Sequence, residues 1–380
     1  NDMIFQAVKR AGIEEDRNAV LKTGRQVFIF AGVHYCDIGG GQRSAQMARA
    51  FNDMGYRVYY IHYLVHPRYG EGKEEPLRDG SIFNPTLLHC QVDAFSVRDL
   101  DRLVSRGALF IFEVPVDKFE PYLEYAQAHH IPTVYEHIDN WDSELGGWFY
   151  REHIFRRYLQ ECTLVTVTAR LLGEKVKTVS PQTEYLYLPN AVNTILFEPA
   201  RYYKKPDDLV VGKKTLLYFG SLWGEWFDWD KLIYVARHCD CAINLIGGYD
   251  ELEEQIKTLP RNIHFLGQKP QPELSAYLAH SDIALLPFKN CEIGRYVSPL
   301  KIFEYVAMNK PVLATPLDDI AGYPNVFTSE DEKEWARAVT EEWPEVVDTG
   351  VFTAQNSWYA RCTAILERTG LLPVNPPAVS

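Results

Sequence analysis

Short apolar runs alternate with amphipathic stretches along most of the chain. Residues 27–33 form an unbroken apolar run, the pattern of a strand buried on both faces. Residues 44–54 follow with Ala45, Ala48 and Phe51 at helical spacing, Gly55 closes that helix, and 57–61 reads as the next strand. The same alternation predicts strands at 87–90, 109–112, 132–136 and 164–168, with helices near 122–129 and from residue 153 up to the last of these strands. A polar stretch at 199–213 interrupts it and reads as a domain boundary. The alternation then restarts, with strands at 215–221, 243–246, 263–266, 283–288, 311–315 and 325–328. Helices are predicted between them at 250–258, 272–280 and 298–308, with another at 329–343 and a last one opening at Asn356. Repeated β/α units on both sides of a polar linker predict an α/β protein of two Rossmann-like, doubly wound domains facing a cleft. The expected division is a lead-in helix or linker at 1–24, a first domain at 25–200, a second at 208–355 and a terminal helix at 356–370.

Composition changes this picture little. The chain has 380 residues, enough for two cores, and its net charge of −12 is spread rather than blocked. That balance argues against nucleic acid as a partner and leaves room for a local basic pocket. Aromatic residues make up 13%, which suits a sugar-handling protein and equally a large core. The seven cysteines are odd in number and contain no CxxC pair, the pattern of free thiols in a reducing compartment. No apolar run approaches the roughly 18–20 residues that span a bilayer. The expected location is cytoplasmic, with peripheral membrane attachment allowed. The chain opens on Asn1 and reads as part of a longer protein, so further domains are expected partners.

Four places carry candidate chemistry. At 298–315, Ser298 and Pro299 suit a helix start, Leu300, Phe303 and Ala307 make an apolar face, and Lys301 and Glu304 lie three apart. A cation and a carboxylate beside a helix N-terminus can hold a phosphate and a ribose; the alternative is a surface salt bridge. The first strand leads into Gly39-Gly40-Gly41-Gln42-Arg43, a loop of bare backbone through which a phosphate or an acceptor could approach the next helix, or simply a turn. It is a poor dinucleotide fingerprint: Ser44 stands where a third glycine belongs, and His62 and Tyr63 end the second strand where an acidic residue belongs. The strand at 132–136 runs into His137 and Asp139, at the end of a strand where ligands bind in open α/β sheets. Asp139 reads as a catalytic or acceptor-orienting carboxylate, or as a helix cap; His137 reads as its alternate, or as a core histidine. Trp141, Trp148, Phe149, Tyr150 and Phe155 read mainly as core. No Asp-x-Asp follows a strand to hold a metal; Asp228 and Asp230 have the spacing but read as a helix cap.

The stretch Ser298-Pro299-Leu300-Lys301-Ile302-Phe303-Glu304-Tyr305-Val306-Ala307-Met308-Asn309-Lys310-Pro311-Val312 resembles the donor-site signature of nucleotide-sugar glycosyltransferases with the GT-B fold. Tyr135-Glu136-His137-Ile138-Asp139-Asn140-Trp141 is similar to a motif of bacterial members, and Leu188-Pro189-Asn190-Ala191-Val192-Asn193 resembles the close of their first domain. The resemblance implies that Glu304 binds the nucleoside ribose and that Lys301 meets the diphosphate. It further implies that backbone near Gln268 holds the base, that the glycine loop faces the cleft, and that Ser357-Trp358 starts a helix returning to the first domain. Ser298, Gly220 and Ser221 join the donor set. One departure matters. Retaining members carry a Glu eight positions before the helix Glu, and here that position is Tyr296. Arg295 then reads as a substitute diphosphate contact, or as a solvated loop arginine.

What the resemblance implies is a metal- and cofactor-independent glycosyltransferase of hexosyltransferase type. It would take a nucleotide-diphosphate sugar as donor and a glycan or lipid-linked acceptor, in polysaccharide or glycoconjugate synthesis. The rivals are a sugar-nucleotide epimerase of the same fold and a catalytically degenerate sugar-nucleotide-binding domain of a larger protein.

Overall fold

A computed structural model describes residues 24–37, 41–64, 86–143, 146–222, 224, 226–248, 253–291, 295–341 and 345–371. The expected lead-in at 1–23, Gly39, Gly40 and the polar segment 65–85 lie outside the described residues. The chain divides into two compact units, one of Asn1–Pro189 with Tyr359–Ser380, the other of Asn190–Trp358.

In the first unit the strands are β1 (Gln26–Ala31), β2 (Arg57–His62), β3 (Leu87–Gln91), β4 (Ala108–Phe112), β5 (Thr133–His137), β6 (Leu164–Val167) and β7 (Leu186–Tyr187). They form one parallel sheet in the order β3-β2-β1-β4-β5-β6-β7. Chain order reverses between β1 and β4, so the unit has a switch point there. Helices α1 (Arg43–Asp53), α2 (Val97–Leu103), α3 (Glu120–Ala128), α4 (Glu152–Glu161) and α5 (Arg170–Val179) join the strands. β1 and β4 are buried along their whole length, as expected of central strands covered on both faces. The sequence pattern did not reveal α2 or α5. Their apolar sets are small, only Leu100 and Leu103 in α2 and Leu172, Gly173 and Val176 in α5.

The second unit repeats the design with β8 (Thr215–Phe219), β9 (Ala242–Ile246), β10 (Ile263–Gly267), β11 (Ile283–Leu286), β12 (Val312–Ala314) and β13 (Val326–Thr328), ordered β10-β9-β8-β11-β12-β13. Its switch point lies between β8 and β11. The helices are α6 (Trp229–His238), α7 (Glu253–Ile256), α8 (Gln271–Ala279), α9 (Leu300–Ala307), α10 (Glu332–Thr340) and α11 (Gly350–Gln355). Asp228 caps α6 by accepting the Lys231 amide at 3.1 Å, as one of the two cap candidates. The closing helix α12 (Trp358–Arg368) belongs from Tyr359 onward to the first unit: the Tyr359 hydroxyl donates to Asp53 at 2.9 Å, and Arg361 donates to the Pro189 carbonyl at 2.8 Å.

Three expectations change. The stretch 199–213 is no boundary: Leu209 is buried in the second core, the Val210 backbone exchanges hydrogen bonds with the Asn244 side chain at 3.0 and 2.9 Å, and Asp208 pairs with Lys269. Polar composition marked its surface, while its backbone pairs with the sheet. Ser298 does not cap α9; Pro299 holds that position, and the Ser298 hydroxyl accepts the Asn190 amide at 3.1 Å. Trp148 is 73% exposed rather than core, its ring beside those of Tyr63 and Phe149.

Candidate active site

The second unit gathers its candidate groups at the switch point. β8 is followed by Gly220, β9 by Gly247, and β10 ends in Gly267, so three adjacent strands finish in bare backbone. Gly220 has φ +140°, and a Cβ there would lie 2.7 Å from Lys301 Cε and 2.9 Å from the Tyr218 hydroxyl. A Cβ on Gly247 would lie 2.1 Å from the Gly220 carbonyl oxygen. The missing side chain of Gly220 makes room for Lys301. Its ammonium sits 5.4 Å from the centre of the Tyr218 ring and 5.2 Å from that of Phe288, an aromatic seat that desolvates a cation while partly stabilising it. Burial pulls its pKa down to about 8, against the pull of Glu304.

Lys301 stands in the first turn of α9, a turn with no acidic residue. A cation beside the positive end of a helix is unfavourable, and an anion arriving there relieves both. One turn on, Glu304 is 2% exposed and accepts the Gln271 side-chain amide at 2.9 Å. Burial raises its pKa to about 7, with Gln271 and Lys301 opposing. Lys301 and Glu304 are therefore a desolvated pair at the end of a sheet, not a surface salt bridge. Ser221 is half-buried, and its carbonyl accepts the Tyr218 hydroxyl at 2.8 Å. Gln268 and Arg295 are exposed at the ends of their loops. Glu292 lies outside the described residues. Lys231, a second buried ammonium that sequence reasoning passed over, is held by Asp228 at 3.5 Å and lies over the Trp335 ring.

Replacing Gly220 by Ala should lower the melting midpoint, because strain at a positive φ costs about 1–3 kcal/mol, or roughly 2–10 °C in a unit of this size. The same change should displace Lys301. Gly248→Ala, where a Cβ meets nothing within 4 Å, should leave the melting curve in place.

The first unit sorts the run after β5 into separate duties. His137 is buried, its Nδ1 lies 3.0 Å from the Tyr135 hydroxyl, its ring packs on Phe155, and burial holds its pKa down to about 3. It is packed as a core histidine. Lys175 of α5 bonds both Asn140 and Asp142. The Trp141 indole donates to the Glu113 carbonyl at 3.1 Å. The Asp139 carboxylate alone has no hydrogen-bond partner among the described residues, and burial raises its pKa to about 7. It caps no helix, since α4 starts at Glu152.

Arg43 leaves the anion-binding set. It is buried, and its guanidinium grips Glu136 of β5 at 2.8 and 3.2 Å, with a third bond to the Pro189 carbonyl at 3.1 Å. Thr166 satisfies the same carboxylate at 3.2 Å. Such a pair is a structural tie: breaking one side strands a buried charge. Gly41 lies half-buried in the turn before α1. Sequence reasoning also missed Glu113, the residue after β4 at the switch point of this sheet. It is buried beside Ser44 and the Gly32 amide, and burial raises its pKa to about 8, with Glu136 adding to the rise. Its only sequence signal is a carboxylate directly after an apolar run.

Two parallel α/β units of this design define the GT-B fold of nucleotide-sugar glycosyltransferases. Residues 213–342, the stretch that contains Lys301 and Glu304, match the family described as Glycosyl transferases group 1. Solved structures agree on the fold. Sucrose-phosphate synthase from Thermosynechococcus elongatus is 15% identical over 92% of this chain and 95% of its own, with a TM-score of 0.53. HepE of Anabaena in complex with UDP and glucose is 14% identical, covering 92% of this chain and 96% of its own, with a TM-score of 0.56. UDP-GlcNAc 2-epimerase from Methanocaldococcus jannaschii is 10% identical, covering 90% and 99%, with a TM-score of 0.51. No curated protein sequence matches the chain. All seven cysteines are free, and among the described residues no helix is long and apolar enough to cross a membrane.

Proposed function

We propose that the protein transfers a hexosyl group from a nucleoside diphosphate sugar to a hydroxyl of a glycan or lipid-linked acceptor, with no metal at the diphosphate. The observation that carries this reading is the desolvated Lys301–Glu304 pair at the switch point of the second sheet, inside the segment that matches the glycosyltransferase family. Lys301 and the first turn of α9 neutralise the diphosphate as the bond from sugar C1 to phosphate oxygen breaks. Glu304, fixed by Gln271, accepts hydrogen bonds from the ribose hydroxyls. Where the transfer inverts at C1, Asp139, whose raised pKa suits a general base near neutral pH, takes the proton of the attacking acceptor hydroxyl. The UDP held by HepE, a protein of this fold, makes a uridine nucleotide the first choice of donor.

The test is calorimetric titration of UDP, GDP, ADP and CMP into the native chain and Glu304→Ala, without added metal. One nucleotide should bind, and the variant should bind it at least tenfold more weakly while melting cooperatively; Glu304→Gln, which keeps the shape, should fall between. Failure of all four nucleotides to bind the native chain would remove the donor site and favour the degenerate-domain reading. Conversion of the sugar nucleotide to a second one without acceptor would identify an epimerase, as the structurally similar UDP-GlcNAc 2-epimerase from Methanocaldococcus jannaschii is.

A further inference from the structure

The first unit holds a cluster that the proposed transfer does not use. His34 follows β1, His62 ends β2 and His89 lies on β3, three strands that are neighbours in the sheet. In the register of β2 with β3, His89 stands opposite Tyr60, so His62 and His89 are diagonal neighbours on one face of the sheet. The His34 ring centre lies 4.8 Å from that of His62 and 5.5 Å from that of His89, edge-on to both. One ring nitrogen from each of the three lies within 4.8 Å of the others.

We propose that His34, His62 and His89 bind a divalent transition-metal ion, zinc being the best chemical match. Three converging imidazoles, two of them on buried residues, are the donor set of an open zinc site, which keeps a fourth position for water or another oxygen ligand. His62 is oriented for this. Its Nδ1 lies 2.9 Å from the Leu64 carbonyl, and an Nδ1–H donated there leaves the Nε2 lone pair for the ion, the outer hydrogen bond typical of metal-bound histidines. His89 Nδ1 is buried and has no hydrogen-bond partner among the described residues, a polar atom for which an ion in the cluster would account. His34 Nδ1 accepts the Cys36 amide at 3.1 Å, and ligation exchanges that contact for the ion. Bonds of about 2.05 Å in a tetrahedron bring nitrogens to roughly 3.3 Å of one another. Ring rotations supply the remaining closure. The site stands on β1–β3, whereas Asp139 follows β5, so it is independent of the donor reading.

The test uses the full chain, stripped with a chelator and dialysed. Zinc should bind one per chain in calorimetry, and His62→Ala and His89→Ala should each weaken it at least tenfold. His153→Ala, at an exposed histidine, should leave the affinity unchanged. Cobalt in the native chain should show the visible absorption of a tetrahedral nitrogen site. That measurement needs no variant, so it decides the matter even where a histidine substitution fails to fold. Absence of zinc binding, equal affinity in the His62 and His89 variants, or a near-ultraviolet thiolate band placing the cobalt on a cysteine would each overturn the proposal.

Discussion

Asp139→Asn should lower kcat by about two to four orders of magnitude, the usual contribution of a general base, while KM for the nucleotide sugar stays within a few-fold. The amide keeps the shape of the side chain and cannot take the proton. The native enzyme should lose kcat as pH falls below about 7, because protonating Asp139 removes the base, and the variant's residual rate should lack that limb. Stability moves the other way. Burial raises the folded-state pKa above the ordinary carboxylate value, so between about pH 4 and pH 7 the folded chain binds more protons than the unfolded one, and stability falls as pH rises through that window. At pH 8 the ionised, unpartnered carboxylate costs stability, and Asp139→Asn should melt higher than the native chain. At pH 5 both forms are neutral in the folded state and the gap should close. Melting curves at the two pH values, beside a pH–rate profile, test both halves. A variant that loses activity but melts lower at pH 8 would mark Asp139 as a structural residue.

Lys301→Met should weaken nucleotide binding by about 10- to 100-fold, the worth of one charge-assisted hydrogen bond of roughly 1.5–3 kcal/mol. Here too the empty protein should gain stability. Burial lowers the lysine's folded-state pKa to about 8, so below that pH the charged ammonium is held out of water at a cost that a methionine of similar length removes. A bound diphosphate favours the charged form and raises the lysine pKa. Binding to the native chain at pH 8 should therefore take up protons. Titrations in two buffers of different ionisation enthalpy would show that uptake, and Lys301→Met should abolish it. Uptake that survives in the variant would place the responding group elsewhere.

Much of the architecture was legible because strand burial on both faces leaves unbroken apolar runs. β1, β4, β8 and β11 appear in the sequence within a few residues of their ends, and the restart of the pattern at Thr215 announces a second sheet. Polar composition misplaced the unit boundary, which falls between Pro189 and Asn190, inside the stretch that resembles the close of a first domain. Residues 199–213 are largely polar, yet the Val210 backbone bonds to Asn244 and Leu209 is buried. The donor residues were visible as a pattern, and Lys301 and Glu304 stand where helical spacing puts them. Their desolvation was not, because the rings of Tyr218 and Phe288 and the missing side chain of Gly220 come from other strands.

The same reason divides the rest. Local pattern, with contacts three or four residues apart, determined that the chain folds as two doubly wound α/β units with a charged pair on the helix after β11. Tertiary structure decided which polar residues are free for chemistry, because that depends on partners far along the chain. Arg43 is tied up by Glu136, 93 residues away, and Asn140 and Asp142 by Lys175, more than 30 residues away. Asp139 has no hydrogen-bond partner among the described residues. His34, His62 and His89 converge only because β1, β2 and β3 lie side by side in one sheet, at a spacing that no motif in the sequence records.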